Sequence, residues 1–412
     1  MKLKRLMMAA AALGFAVIAY NLFRGQPGKL KLPAGLRTPM VSIGDSHGLV
    51  LAPNGSLWTW GGEDRGWPVL GLGRKNLAPE LARIGSETNW VYISAGDDHN
   101  LALKSDGTIW GWGANYRGQL GNGYSSRTST NRAKMIEDRP VHTVPGNDWT
   151  QVEAGSVCSY AMKRDATLWA WGLNNFSQLG TGTWTDSATP VQVGIATNWV
   201  KVRAGGVSAA GIQSDGSLWI WGGSPTLGNT TPQNSGNLMV PTRLGSETNW
   251  VDVAVAFNLW FGIKSDGSLW VWGRNQNVFV GAGKDVSEQT MRVGIDNDWQ
   301  SVWSSKGGHS QFLKTRDGSF WTVDSTTTPA RFNRVELAPQ ILAAGAGGGA
   351  WAVLTRDGEI WTAGTVLGQH GPKHRFLRFA EEICWRAGWK RQWTGQPPKV
   401  VRNEPWQLRS EE

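Results

Sequence analysis

Reactive side chains are scarce in this chain. Its 412 residues include two cysteines and six histidines, and only 18% are Asp, Glu, Lys or Arg. Two thiols, Cys158 and Cys384, are too few for a disulfide framework or a thiolate metal cluster. They lie in repeats that are not neighbours, so no internal bridge joins them. There is no Gly-x-x-x-x-Gly-Lys phosphate loop and no His-Glu-x-x-His pair. These absences exclude phosphate-loop nucleotide hydrolases and zincin proteases. No catalytic residue, metal or cofactor is expected. The net charge of +9 is unevenly spread. Residues 1–37 hold seven basic and no acidic residues, residues 372–412 hold nine and five, and residues 38–371 hold 25 and 27. The long middle section is close to neutral and lacks the basic footprint of a nucleic-acid binder.

What the chain has in quantity is tryptophan, 26 residues, and glycine, 54. Much of both belongs to one repeated stretch. Ser214-Asp215-Gly216-Ser217-Leu218-Trp219-Ile220-Trp221-Gly222 returns as Ser265-Asp266-Gly267-Ser268-Leu269-Trp270-Val271-Trp272-Gly273. Earlier copies carry Trp58 and Trp60, Trp110 and Trp112, and Trp169 and Trp171; worn copies carry Trp321 and Trp361. The second turn residue falls at positions 55, 107, 166, 216, 267, 318 and 358, a period near 51. Seven copies at that spacing define a repeat architecture.

Each copy contains instructions for a hairpin. Asn-Gly or Asp-Gly between extended runs supplies the positive φ angles of a tight turn. Trp-x-Trp after the turn places both indoles on one face of a strand, with Leu57, Leu218 or Leu269 on the other. A strand that is large and apolar on both faces must be covered on both. Further runs occur before the turn, then as a third strand after a proline (Pro190-Val191-Gln192-Val193), and as a fourth, closing the repeat, at Asn-Trp or Asp-Trp (Trp90, Trp149, Trp199, Trp250, Trp299). Four short strands repeated seven times predict an all-β, seven-bladed β-propeller, with these tryptophans as its core.

Gly96-x-x-His99-x-Leu101-x-Leu103, Asp106-Gly107, Trp112-Gly113, Asn115 and Gly118-Gln119-Leu120-Gly121 together resemble the repeat of the regulator of chromosome condensation family. The third copy repeats the pattern with Trp171-Gly172, Asn174 and Ser177-Gln178-Leu179-Gly180. The resemblance covers roughly residues 40–371, and copies four to seven keep only fragments of the Gly-Gln-Leu-Gly element. It implies a propeller. The family includes secreted bacterial propellers that bind a protein partner by loops on one face, and nucleotide-exchange factors for small GTPases.

The rest of the chain is read around this ring. Residues 1–24 form a signal anchor or signal peptide: Lys2, Lys4 and Arg5 precede an apolar run over 6–23, which favours a single span with the propeller extracytoplasmic. A cleaved signal giving a secreted or periplasmic protein is the alternative. Residues 25–38 are a linker, 39–371 the propeller, 372–394 an amphipathic helical insertion carrying Trp385, Trp389 and Trp393, and 395–412 ring-closing strands and tail. Pro39–Gly44 at one end and the strands at Pro398 and Trp406 at the other are expected to meet in one blade.

Candidate sites are few. The recurring aspartates read as turn residues. His47, His99 and His309 share a repeat position, with Ser159, Ser208 and Asn258 at nearby places in the third to fifth copies, too incomplete for a metal site. The second copy has 19 residues from Gly121 to Pro140 where the third has 10 from Gly180 to Pro190. This polar surplus is expected to project from a rim and add nothing to stability. Tyr124, Arg127, Arg132, Lys134, Trp67 and Trp184 are the candidate partner-binding residues. The expected function is a monomeric, non-enzymatic scaffold that binds another macromolecule, a protein, through rim loops at or outside the membrane. The alternatives are a guanine-nucleotide exchange factor and a propeller enzyme or carbohydrate-binding module.

Overall fold

Each hairpin signal sits at the centre of one antiparallel sheet. In sheet 2 the order is Trp90–Ala95, His99–Lys104, Ile109–Ala114 and Ile136–Val144, each strand paired with the next. The computed structural model describes residues 37–62, 68–73, 77–223, 237–256, 259–273, 290–306, 311–324, 330–335, 341–348, 350–355, 360–364, 390–391 and 400–402. Its strands form an all-β propeller in which six sheets have the expected four strands and a further one has five. Among the described residues the only helical turn is the 3-10 turn Arg132–Lys134, and no helix is long and apolar enough to cross a membrane. The amino-terminal apolar run and most of the 372–394 segment lie outside the described residues. Two residues of that segment, Lys390–Arg391, are strand rather than helix and pair with Ile360–Gly364.

The turns follow the sequence closely. Gly55, Gly107, Gly216, Gly267 and Gly318 hold φ between 77° and 86°, and Ala166 in the glycine-less third copy is forced to 59°. The preceding Asp is not idle. Asp106 Oδ1 accepts from Thr108 N (3.0 Å) and Thr108 Oγ1 (2.6 Å), and Thr108 Oγ1 in turn accepts from Trp110 Nε1 (3.0 Å). The same relay runs through Asp165, Thr167 and Trp169, and through Asp215, Ser217 and Trp219. Hydrogen bonds from Thr108 hold the Asp106 carboxyl below the ordinary carboxylate range. These aspartates are turn residues.

The core lies between sheets. Seven apolar clusters each draw on two consecutive sheets, the last joining the final sheet to the first. Trp110 and Trp112 both face back into the seam with sheet 1, while Leu101, Leu103 and Ile109 face forward into the seam with sheet 3. The two indoles are unequal: Trp60, Trp112, Trp171, Trp221 and Trp272 are buried, whereas Trp58, Trp110, Trp169, Trp219 and Trp270 keep an edge in solvent. Trp321 is also half-buried, and the side chain of Trp361 lies outside the described residues.

Two expectations about the ring are corrected. The Asn-Trp strand does not end a repeat but opens the next sheet, as when Trp199–Ala204 pairs with Ser208–Gln213. Met40–Ile43, its counterpart, is therefore already the inner strand of sheet 1, which residues 40–84 complete alone. Residues 40–43 and 400–402 do not meet in one blade, and the strand expected at Trp406 lies outside the described residues. Val400–Arg402 pairs instead with Arg331–Val335 as the fifth strand of sheet 6. The first and last sheets meet by packing. Val41, Ile43 and Trp60 lie against Ala350, Ala352 and Leu354, and glycine permits the approach: a Cβ on Gly347 would fall 2.1 Å from Ile43 O.

Two stability tests follow from this packing. Ala166→Gly relieves a left-handed alanine and raises unfolding free energy by roughly 0.5–1 kcal/mol, allowing for the greater flexibility of unfolded glycine. Trp221→Ala empties a seam and costs about 3–5 kcal/mol in urea unfolding, while Trp219→Ala costs clearly less. Equal losses for the two would contradict the inward–outward order of the pair.

Candidate functional site

Strand alternation divides the connections between two faces. First-to-second and third-to-fourth connections emerge on one face, here the loop face. Hairpin turns and inter-sheet crossings emerge on the other, the turn face. Tyr124, Arg127, Arg132, Lys134 and Trp184 all lie on third-to-fourth connections, of sheets 2 and 3, and so share the loop face. Trp67 belongs to the corresponding connection of sheet 1 but lies outside the described residues, as does the side chain of Arg132.

The Gly-Gln-Leu-Gly element explains why these loops hold a shape. Asn115 Oδ1 accepts from Leu120 N (3.0 Å), and its Nδ2 donates to Tyr124 O (3.1 Å) and Lys134 O (3.2 Å). Leu120 plugs into the ring, fully buried. The Gln119 carbonyl reaches the next sheet, accepting from Trp171 Nε1 (2.9 Å) and Ser159 Oγ (2.7 Å). In sheet 3 Asn174 repeats the first set with Leu179 N (2.9 Å), Thr183 O (2.9 Å) and Thr185 O (3.1 Å).

The insertion in sheet 2 is therefore not a free projection. Arg127 Nη1 pairs with Asp186 Oδ2 of sheet 3 at 3.1 Å, and Gly123 N donates to Ala188 O (2.8 Å). Lys134 Nζ stands 5.9 Å from the Tyr124 ring and 3.9 Å from Glu137 Oε1. Polar composition suggested a solvated loop; main-chain and ionic bonds to the neighbouring loop tie it down. Three aromatic side chains stay exposed on these joined loops: Tyr116 (37%), Tyr124 (39%) and Trp184 (44%). The sequence had not singled out Tyr116. Its position just after Asn115, the loop's hydrogen-bond hub, was the available signal.

The histidines have structural partners. His47 pairs with Gly61 and His99 with Gly113, and in that register Cys158 and Leu259, not Ser159 and Asn258, take the equivalent places. His47 Nε2 bonds Asn100 Oδ1 (2.7 Å) and His99 Nε2 bonds Ser159 Oγ (2.9 Å), each across a seam. Asn100 Nδ2 and Ser159 Oγ already donate to Val69 O and Gln119 O. Both histidines must therefore donate from Nε2, leaving Nδ1 as a buried lone pair beside Gly44 or Gly96. His309 lies outside the described residues. Among the described residues no three His, Cys, Asp or Glu converge on one point.

The inner strands line a channel with a cavity of about 120 Å³. It holds a charged group at its core: Glu153 and Arg203 lie 3.9 Å apart, and Lys306 reaches from sheet 6 to donate to Ala95 O in sheet 2. Burial raises the pKa of Glu153 while Arg203 opposes the rise; burial lowers that of Lys306 while Asp97 opposes the fall. Burial, joined by the Lys306 charge, lowers His47 to about 4 and His99 to about 3.

A pH dependence results. The unfolded chain protonates these histidines near 6.5, the folded chain only near 4 and 3, so between those values the unfolded state binds more protons. Their contribution is complete above pH 6.5 and is lost as pH falls through the folded values, by about 3 kcal/mol for His47. Urea unfolding from pH 7 to 4.5 should show this slope. His47→Gln, which keeps a donor but cannot titrate, should reduce it; an unchanged slope would contradict a neutral, buried His47.

With this geometry established, similarity to known proteins can be placed. The Regulator of chromosome condensation (RCC1) repeat matches residues 54–103, 106–162 and 165–210, and a second form of it matches 90–119. The probable E3 ubiquitin-protein ligase HERC6 of Homo sapiens is 31% identical over 163 residues, 38% of this chain but 15% of the ligase. The ultraviolet-B receptor UVR8 of Arabidopsis thaliana is 25% identical over 309 residues, 73% of this chain and 67% of the receptor. The structure of Prp20p from Saccharomyces cerevisiae, described with its binding to Gsp1p and histones, superposes with a TM-score of 0.60 at 19% identity, covering 84% of this chain and 85% of that one. Human WBSCR16 gives 0.57 at 17% identity, over 71% and 80%. At such identities the two structures show the fold alone. The similarity to the ligase is confined to its repeats and carries no ligase chemistry to this chain. Residues 54–210 thus match repeats of the regulator of chromosome condensation family, and the ring they help build is similar to that family's propellers.

Proposed function

We propose that the chain is a non-enzymatic scaffold whose loop face binds a protein partner, with sheets 2 and 3 supplying the contact. One observation carries this reading. Tyr116, Tyr124 and Trp184 stay exposed on two loops whose backbones are fixed to each other, with Arg127 and Lys134 among them. Rigid aromatic and arginine side chains are the types that dominate interface energies, because they bury large areas while losing little freedom. Prp20p, with the same fold, binds other macromolecules. The apolar run over residues 6–23 after Lys2, Lys4 and Arg5 supports a location at a membrane, with the loop face presented outside the cytoplasm. The exchange-factor alternative is separated from this one by nucleotide release: a small GTPase whose bound nucleotide leaves faster in the presence of the chain would favour it.

The binding surface is tested by a photo-crosslinking residue introduced at 124, at 184 or, on the opposite face, at Ile195. Ile195 is 95% exposed and serves as the control. A protein adduct is expected from 124 and 184 and not from 195. Adducts from 195 alone would move the interface to the turn face. Trp184→Ala and Tyr124→Ala should weaken the captured complex at least about tenfold while leaving the thermal midpoint nearly unchanged.

A further inference from the structure

The turn face contains a site whose ligand can be read from its sister repeats. In sheets 2, 3 and 5 the first residue of the inner strand is a tryptophan paired in register with a lysine: Trp90 with Lys104, Trp149 with Lys163, Trp250 with Lys264. Each lysine ammonium lies between that indole and the first indole of Trp-x-Trp. Lys104 Nζ is 4.9 Å from the Trp90 ring and 3.4 Å from Trp110. Lys163 Nζ is 4.9 Å from Trp149 and 5.0 Å from Trp169. Lys264 Nζ is 5.1 Å from Trp250 and 3.6 Å from Trp270. A carboxylate from the preceding crossing completes each cage: Glu87 at 2.8 Å, Asp148 at 3.2 Å and Glu247 at 2.5 Å. Those acids sit either three residues or one residue before the inner-strand tryptophan.

Sheet 4 departs from this pattern in a balanced way. Gln213 replaces the lysine, Ala196 stands three residues before Trp199, and Gln213 Oε1 accepts from Asn198 Nδ2 (3.2 Å). Cation and anion are lost together, and the cage is neutral and closed on itself.

Sheet 6 is not balanced. Trp299 and Trp321 hold the same edge-on geometry, 6.0 Å apart at 71°, against 5.9 Å at 86° for Trp90 and Trp110. Carboxylates occupy both acid positions, Asp296 and Asp298. Yet the residue in register with Trp299 is Thr315, which stops at the γ position, lacks Cδ, Cε and Nζ, and turns its hydroxyl to Asp317 Oδ1 (2.5 Å). Nearby guanidinium groups are committed elsewhere: Arg316 to Ser265 O (2.8 Å), Arg334 to Ser319 Oγ (2.8 Å) and Arg292 to Ile295 O (3.0 Å). Because Arg334 takes the Ser319 hydroxyl, the Trp321 Nε1–H, buried, has no acceptor among the described residues, unlike its counterparts in sheets 1 to 5. Burial and the neighbouring Asp298 charge push the Asp296 carboxyl up, Arg292 opposing. The sheet thus keeps two indoles, with acids at both positions that supply a carboxylate in its sister sheets, for an ammonium that no described residue supplies.

We propose that Trp299, Trp321, Asp296 and Asp298 form a binding site for an alkylammonium group, from a free amine or from the lysine side chain of a protein partner. The site is on the face opposite the aromatic loops and does not depend on their role. An alkylammonium fits better than a quaternary ammonium, since the sister cages place N–H donors on a carboxylate as well as charge on the indoles.

The test titrates the full chain with n-butylammonium chloride, followed by saturation-transfer NMR against a matched sodium chloride control. Saturable binding in the millimolar range is expected, with tetramethylammonium weaker. Thr315→Lys should fill the cage from within, as in sheets 2, 3 and 5. It should raise the thermal midpoint and weaken butylammonium at least about tenfold. Asp296→Asn, at a surface crossing, should weaken it several-fold without loss of fold. A lysine-containing peptide that binds far tighter than butylammonium identifies a partner lysine as the source; equal affinity identifies a free amine. No saturable binding by the wild-type chain, or binding unchanged in a folded Thr315→Lys variant, would overturn the proposal.

Discussion

Tryptophan packed between sheets is the interaction on which this ring depends. Each inner-strand indole and each Trp-x-Trp pair is pressed into the seam with the preceding sheet, while the leucine side of the same hairpin fills the next seam. No sheet can bury both its faces alone, so stability is shared around the circle and the ring must close. Closure here uses the same contact as every other seam. Gly345 and Gly347 let the last inner strand approach the first more nearly than any side chain would allow. Removing one buried indole therefore opens a void between two sheets that cannot relax independently.

The same repeat gives the two faces different chemistry. On the turn face, Asp, Ser or Thr and Trp form a hydrogen-bonded relay, and lysines are enclosed by indoles and acids. On the loop face, Asn115 and Asn174 spend their amides on backbone, which leaves the tips to present whatever side chains the sequence placed there. A rigid frame with variable tips is the usual way a repeat fold acquires a binding surface. The buried histidines and the Glu153–Arg203–Lys306 group show the cost of polarity near the axis. His47 and His99 persist only as neutral donors, and Lys306 crosses the channel to a carbonyl.

Departures from the repeat are more informative than its copies. Ala166 keeps a left-handed turn after losing its glycine, so the turn is imposed by the sheet around it. Gln213 and Ala196 lose a charge pair together, whereas Thr315 loses the lysine while Asp296 and Asp298 remain. A neutralised cage needs nothing further; the acidic one lacks the lysine that its sister sheets place between the two indoles.

The sequence alone determined the hairpins, their number and their indole-bearing face, because each rests on local rules: positive φ at Asp-Gly, alternation along a strand and a fixed period. It also marked sheets 2 and 3 as those with the complete element, Gly-Gln-Leu-Gly in one and Ser-Gln-Leu-Gly in the other. It did not determine where one sheet ends and the next begins, since a strand at Asn-Trp reads the same whether it closes a repeat or opens one. That ambiguity placed the chain ends in a shared blade. Only tertiary pairing assigned Met40–Ile43 to sheet 1 and Val400–Arg402 to the edge of sheet 6. Composition likewise described 125–134 as solvated, because the Arg127–Asp186 pair and the Asn115 bonds join residues that no local pattern relates. The alkylammonium cage was hidden for the same reason: Trp299, Thr315 and Trp321 are strangers along the chain, and strand register alone brings the two indoles together over the place a lysine would fill.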